Sequence, residues 1–173
     1  IIERIKTAGA TQITLAERSG MGDTSEVLEQ MGVFALSKEL GFQTVVLNEA
    51  PKTAWTKIDK GNSHWLHGFY IANLYRTAEK VVETCCLKTH RFGGHFTLAM
   101  KCSVGLVAKK VPGSVYDYMW ELHGSPFQRA MIAEINQHYH TDAVVMDGIK
   151  AFITGGPESG TEVEPGLMLA SRD

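Results

Sequence analysis

The chain lacks several features that would have named a function at once. No window of about eighteen uncharged apolar residues occurs, so no membrane-spanning helix is expected. Lys and Arg number 17 against 19 Asp and Glu, a net charge of −2. That balance provides no basic stripe for nucleic acid and no cationic face for a membrane surface. Only three cysteines are present among 173 residues. Cys85 and Cys86 are adjacent and neither forms a CxxC with Cys102, which argues against a disulfide framework, a structural zinc site or a set able to hold an iron–sulfur cluster. The expectation for all three is the small buried hydrophobe that free cysteine usually is, and for the chain a reducing, cytoplasmic setting. Internal repeats, low-complexity tracts, long linkers and a signal peptide are also missing. The chain opens at Ile1-Ile2-Glu3-Arg4-Ile5 without an initiator Met, in what reads as mid-helix, and stops at Ser171-Arg172-Asp173 just after an apolar run. A piece of a longer protein is expected, forming one domain over residues 1–173.

What remains reads as alternating strands and helices. Gln12–Glu17 is a short apolar strand followed by the turn Gly20-Met21-Gly22. Asp23-Thr24-Ser25-Glu26 has the form of a capping box opening a helix that runs to about Leu40 and is closed by Gly41. Gln43–Asn48 is a second strand. Residues 51–66 are polar and read as an irregular loop or lid, and Phe69–Lys80 as a helix. Val81–Leu87 is a third strand, Phe96–Lys109 a helical run, and residues 115–138 a helical region interrupted near Gly124-Ser125-Pro126. Ala143–Met146 is a fourth strand and Leu167–Ala170 a fifth. The predicted fold is α/β, with a mostly parallel sheet flanked by helices on both faces.

The segment richest in chemistry is Lys88-Thr89-His90, followed by Gly93-Gly94, His95, Thr97 and Lys101. Lys88 and His90 are two apart, so on a strand they share a face. A lysine beside another cation can act as base or nucleophile, and a histidine can move protons near neutral pH. Lys101 would face an anionic group of a ligand, or else be a solvated helix lysine. Polar residues close successive apolar runs at Glu17, Glu49, Lys88 with His90, and Asp147. If the strands are parallel, these places share the edge where α/β sheets bind ligands. Lys88, His90, Lys101 and Asp147 are the catalytic candidates. Glu17, Gly93, Gly94, Thr97, Gly155 and Gly156 are candidates for contacting a cofactor or ligand, the glycines because backbone can approach closely there. The same reading covers Ser19-Gly20-Met21-Gly22-Asp23, although neither stretch matches a GxGxxG or P-loop pattern, and an ordinary surface loop is the alternative. His90 and His95 are the candidate metal ligands, imidazole suiting nickel, zinc or iron. The pairs His64/His67 and His138/His140 lack a third ligand and read as surface or structural histidines. Trp65, Phe69, Tyr70 and Tyr75 read as core.

These segments resemble a family. Lys88-Thr89-His90, then Thr97-x-x-x-Lys101 and Gly105, is similar to the K-T-H…T-x-x-x-K-N-x-x-G core of the domain-of-unknown-function 362 family. Asp147-Gly148 with Gly155-Gly156-Pro157-x-x-Gly160 resembles its later D-G…G-x-G-P-x-x-G segment, and Ala170-Ser171-Arg172-Asp173 its A-S-x-D. Cys102 stands where the family usually has Asn. The resemblance implies no established activity. Some members carry a ferredoxin-like iron–sulfur module, which implies a redox context for them and a ferredoxin-like partner domain in the full-length protein. A fainter similarity runs to the nickel-pincer lactate racemase family, in which a histidine precedes a Gly-rich turn and the lysine that carries the cofactor. That similarity implies a cofactor-bearing position at Lys101 and a proton-transferring one at His90. The resulting expectation is a domain that binds a small anionic molecule or cofactor, possessing metal-assisted or proton-transfer chemistry. The rival is a non-catalytic module that docks on an iron–sulfur or other partner domain and therefore carries a sticky apolar surface.

Overall fold

The computed structural model describes residues 1–18, 20–92 and 95–172. Its contacts divide the chain into two compact units, Ile1–Pro51 and Lys52–Asp173. The class is mixed α/β. Among the described residues no helix is long and apolar enough to cross a membrane.

The first unit contains α1 (Ile2–Thr7), β1 (Thr14–Glu17), α2 (Thr24–Gln30), α3 (Val33–Leu40) and β2 (Gln43–Val46). β1 and β2 pair in parallel, Thr14 opposite Gln43 and Glu17 opposite Val46. Parallel neighbours need a crossover, and α2 and α3 supply it. The Asp23 carboxylate accepts from the Glu26 backbone N–H at 3.0 Å and caps α2 as expected. The single helix expected up to Leu40 is two. Gly32, at φ 72°, adopts the left-handed conformation that ends one turn and starts the next. Gly41, at φ 63°, closes α3 as expected. Leu28, Phe42 and Leu47 are buried.

The second unit opens with β3 (Trp55–Ile58) and β4 (Phe69–Ala72), an antiparallel pair. It continues with α4 (Asn73–Thr77), β5 (Val82–His90), β6 (His95–Thr97), α5 (Ala99–Cys102), α6 (Tyr118–Gly124), α7 (Gln128–Ile135), β7 (Ala143–Gly155), β8 (Gly160–Val163) and β9 (Leu167–Ser171). Three expectations are corrected here. The loop expected at residues 51–66 contains β3. The helix expected from Phe69 begins as a strand, because Phe69, Ile71 and Ala72 are buried and the aromatic Phe69 and β-branched Ile71 fit a pleated surface. The helical run expected from Phe96 to Lys109 begins with β6, which adds onto the free edge of β5, and then shortens to α5 and one 3₁₀ turn at Ser103–Leu106. The break near Gly124-Ser125-Pro126 separates α6 from α7 as expected. Trp65, Phe69, Ile71, Leu122, Met131 and Ile135 form the buried core of this unit, and the Trp65 indole N–H donates to the Met131 carbonyl at 3.2 Å. The core reading of Trp65 and Phe69 therefore holds.

The main sheet has five strands in the order β6-β5-β7-β8, with β9 also on β7. It is mixed, not mostly parallel. β5 and β7 run parallel, whereas β6, β8 and β9 are antiparallel to their neighbours. The glycine turn at residues 155–160 folds β8 straight back along β7, so no crossover intervenes. Every residue of β9 is exposed, so helices do not cover that end of the sheet as expected. The cysteines are not the buried hydrophobes expected either: Cys86 is exposed, and Cys85 and Cys102 are partly so.

Candidate functional site

β5 carries Lys88, Thr89 and His90 at its C-terminal end. Lys88 lies opposite Thr97 of β6 and Phe152 of β7, and His90 lies opposite His95. α5 follows β6 immediately and returns Lys101 to β5. There the Lys101 Nζ lies 3.1 Å from His90 Nε2. His90 is 6 % exposed, so a charged imidazole would be poorly solvated. Burial, then the Lys101 charge, with smaller contributions from His123 and Lys88, hold its pKa below the ordinary 6.5. His90 is therefore neutral at neutral pH. Its Nδ1 lies 3.1 Å from the Phe92 carbonyl oxygen and 3.1 Å from the Phe92 amide nitrogen. With Lys101 as ammonium, the consistent tautomer has Nδ1–H donating to the Phe92 carbonyl and Nε2 accepting from Lys101. The reverse arrangement, Nε2–H donating to an uncharged Lys101 amine while Nδ1 accepts from the Phe92 N–H, differs by one proton and uses the same atoms. The two states of this pair thus need no rearrangement of the chain.

The glycine segment closes over this strand end. Gly156 is buried at φ 71°, and a Cβ there would lie 2.0 Å from the Thr89 carbonyl oxygen. Only glycine allows that approach. The Arg91 N–H and Nη1 both donate to the Gly156 carbonyl, at 3.3 and 3.2 Å, and Arg91 also pairs with Glu158. The Gly156 N–H in turn donates to the Ser159 carbonyl at 2.6 Å. The K-T-H and G-G-P-x-x-G segments, distant in sequence, are therefore one structural unit. Beside it opens a cleft of about 600 Å³ lined by Arg91, Phe92, His123, Phe127, Gln128 and Arg129 among others. The His123 Nδ1–H donates to the Met119 carbonyl at 2.6 Å, which leaves its Nε2 for other contacts.

Support for α5 comes from below. The Asn136 side-chain amide reaches the Met100 carbonyl at 3.1 Å and Ser103 Oγ at 2.9 Å. Its Oδ1 lies 3.0 Å from the Tyr139 hydroxyl, which donates its one proton to the buried Glu83. Burial, followed by the Glu83 bond, pushes the Tyr139 phenol far above its usual range.

The remaining sequence candidates fall elsewhere. Asp147 is exposed in mid-strand, opposite Cys86 and Met168, and accepts from the Ile149 N–H at 2.9 Å. It does not end a strand, because β7 continues to Gly155. Glu17, which accepts from the Arg18 N–H at 2.7 Å, and Glu49, which accepts from Ser25 Oγ at 2.6 Å, belong to the first unit. The single sheet edge expected to gather Glu17, Glu49, Lys88, His90 and Asp147 is thus not formed: β1 and β2 make a sheet of their own. Thr97 sits across from Lys88. Gly155, at φ 73°, pairs with Gly160 at the start of the turn. Gly93, Gly94 and Ser19 lie outside the described residues. Arg91, Phe92, His123, Arg129 and Asn136 were not singled out from the sequence. Of these only Arg91 and Phe92, next to His90, carried a positional signal.

The whole chain, residues 1–173, matches the family described as a domain of unknown function, DUF362. The chain belongs to the DUF362 family. No curated protein and no solved structure matches it. The resemblance carried by Lys88-Thr89-His90, Lys101 and the Gly155–Gly160 segment is thereby borne out, and in this DUF362 domain those residues are the ones brought together. The nickel, zinc or iron expected at His90 and His95 does not fit the donor set. Both His90 nitrogens are engaged, by Phe92 and Lys101, and among the described residues no three His, Cys, Asp or Glu side chains converge.

Proposed function

We propose that this DUF362 domain binds a small anionic molecule at the end of β5 and transfers a proton to or from it through the His90–Lys101 pair. The observation that carries the reading is the 3.1 Å contact between the buried His90 imidazole and the Lys101 Nζ. Lys88 and Lys101 supply charge for an anion. An anion that draws the Lys101 ammonium toward itself frees Nε2, and its own negative charge stabilises a protonated His90, so binding and proton uptake are coupled. The Arg91- and Arg129-lined cleft beside Phe92 gives the rest of such a molecule a place to lie. Asp147, bound within its own strand, has no part in this scheme. The test is a thermal-shift panel of inorganic phosphate and small mono- and dicarboxylates on wild type, His90→Ala and Lys101→Ala. At least one anion should stabilise wild type and lose that effect in both variants. Variants that respond to every anion as wild type does would sink the reading.

A second reading, a module that docks on a ferredoxin-like iron–sulfur domain of the full-length protein, is favoured by a different observation. Leu167, Met168 and Leu169 of β9 and Ile149 and Ile153 of β7 are 37 to 58 % exposed. Leu167 and Leu169 share one face of β9 and Met168 takes the other, so apolar side chains stand open on both faces at this end of the sheet, as a docking surface would use. The reading expects concentration-dependent association and strong binding of an apolar dye, both reduced by Met168→Lys. A monodisperse monomer that binds no dye would count against it.

A further inference from the structure

Two of the three cysteines meet in space. Cys102, the last residue of α5, donates its thiol to the Thr84 carbonyl at 3.5 Å, and it also lies within hydrogen-bonding reach of the Cys85 thiol. α5 packs against β5, so the meeting is fixed by two secondary-structure elements and not by a loose loop. Both thiols are partly exposed, open to a small reagent. Cys86 is Cys85's neighbour on the strand and points to the opposite face, so it does not compete for Cys102.

We propose that Cys85 and Cys102 form a thiol pair that converts to an intrachain disulfide by exchange with a small-molecule disulfide such as glutathione disulfide. The Cys102 thiolate attacks one sulfur of the reagent, a mixed disulfide forms, and one glutathione thiolate leaves. The Cys85 thiolate then attacks the Cys102 sulfur, the Cys85–Cys102 bond forms, and the second glutathione leaves. Two protein thiols lose two electrons, one reagent disulfide gains them, and the two protein protons end on the departing thiols. Burial, then the neighbouring Cys86 and Glu83 charges, push the Cys85 thiol up, and the same cross-link results whichever of the two thiols attacks first. The bond would join β5 to α5, the elements that carry His90 and Lys101. The pair is invisible to spacing rules because it spans a strand, a turn, a second strand and a helix.

The test uses the full chain in a Cys86→Ser background, incubated with glutathione disulfide and digested without reduction. Mass spectrometry should find the Cys85 and Cys102 peptides joined, with the loss of two hydrogens, and dithiothreitol should release them. Adding Cys102→Ser or Cys85→Ser should abolish the joined peptide, and the unfolding midpoint of each reduced variant reports whether it folds. Glutathione adducts at either cysteine without the cross-link, or two thiols still free after long incubation of the folded background protein, would overturn the proposal.

Discussion

At the scale of single residues the decisive fact is that His90 gives up its proton more readily in the folded chain than in the unfolded one. Its folded pKa lies below the ordinary 6.5. Between that lower value and 6.5 the unfolded state binds more protons, so stability falls as pH drops through this window and is untouched well above it. His138, also depressed, by burial and then Arg76, adds to the same loss. His90→Gln should therefore reduce, without abolishing, the drop in urea midpoint between about pH 7.5 and about pH 5.5. An unchanged drop would mean that His90 is not desolvated. A sharper expectation concerns Gly156. Gly156→Ala places a Cβ on the Thr89 carbonyl as well as forcing a left-handed conformation, whereas Gly113→Ala, at φ 84°, meets nothing within 4 Å. The second should cost about 1 kcal/mol of stability, and the first at least about 2 kcal/mol, because backbone must move as well. Equal costs, measured by urea denaturation, would show that the glycine segment is not seated against β5.

At the scale of elements the comparison of sequence with structure is instructive. Apolar runs were readable although most of their residues are only partly buried: the start of β5 and of β7, and with them the break between α6 and α7 at Ser125-Pro126. Local chemistry was readable too, and the Asp23 cap is the clearest instance. Asp23→Ala should cost about 1 kcal/mol, seen as a lower unfolding midpoint in far-ultraviolet circular dichroism. Other elements were hidden for physical reasons. In β8, Gly160-Thr161-Glu162-Val163, hydrogen bonding to β7 and not side-chain burial makes the strand, so no alternation exists to be read. In β4, Phe69-Tyr70-Ile71 followed by Asn73-Leu74-Tyr75 places apolar residues at intervals that also suit a helix, and only pairing with Trp55–Ile58 decides between them. The strand reads as ending at Met146 because the polar Asp147 closes its apolar run, yet β7 continues to Gly155, with neighbours on both sides. The candidate site follows the same division. Lys88, His90 and Lys101 stand out by type and motif, whereas the Arg91–Gly156 contact, the cleft with His123 and Arg129, and the Asn136 support depend on the pairing of β5 with β7 and on helix placement.

At the scale of the whole molecule, the division into residues 1–51 and 52–173 has a measurable consequence. All three tryptophans, Trp55, Trp65 and Trp120, belong to the second unit. A unit of the first one's size buries too little surface for high stability on its own. In urea, far-ultraviolet circular dichroism, which reports on both units, should begin to change before tryptophan fluorescence does. Coincident transitions would show a single cooperative unit. The exposed apolar residues of β9 and β7 belong to this scale as well, since they lie on the second unit's sheet, where every residue of β9 faces solvent.

The account rests on the His90–Lys101 pair, and a pH titration of the His90 ring nitrogens by ¹⁵N-correlated NMR tests it most directly. The measurement compares wild type with Lys101→Met, each with and without inorganic phosphate or the most stabilising carboxylate of the thermal-shift panel. Wild-type His90 should titrate below 6.5, and the anion should raise its pKa. Lys101→Met should raise it without any anion and remove the anion's effect. A His90 that titrates at its ordinary value and answers neither to the anion nor to the loss of Lys101 would contradict the account.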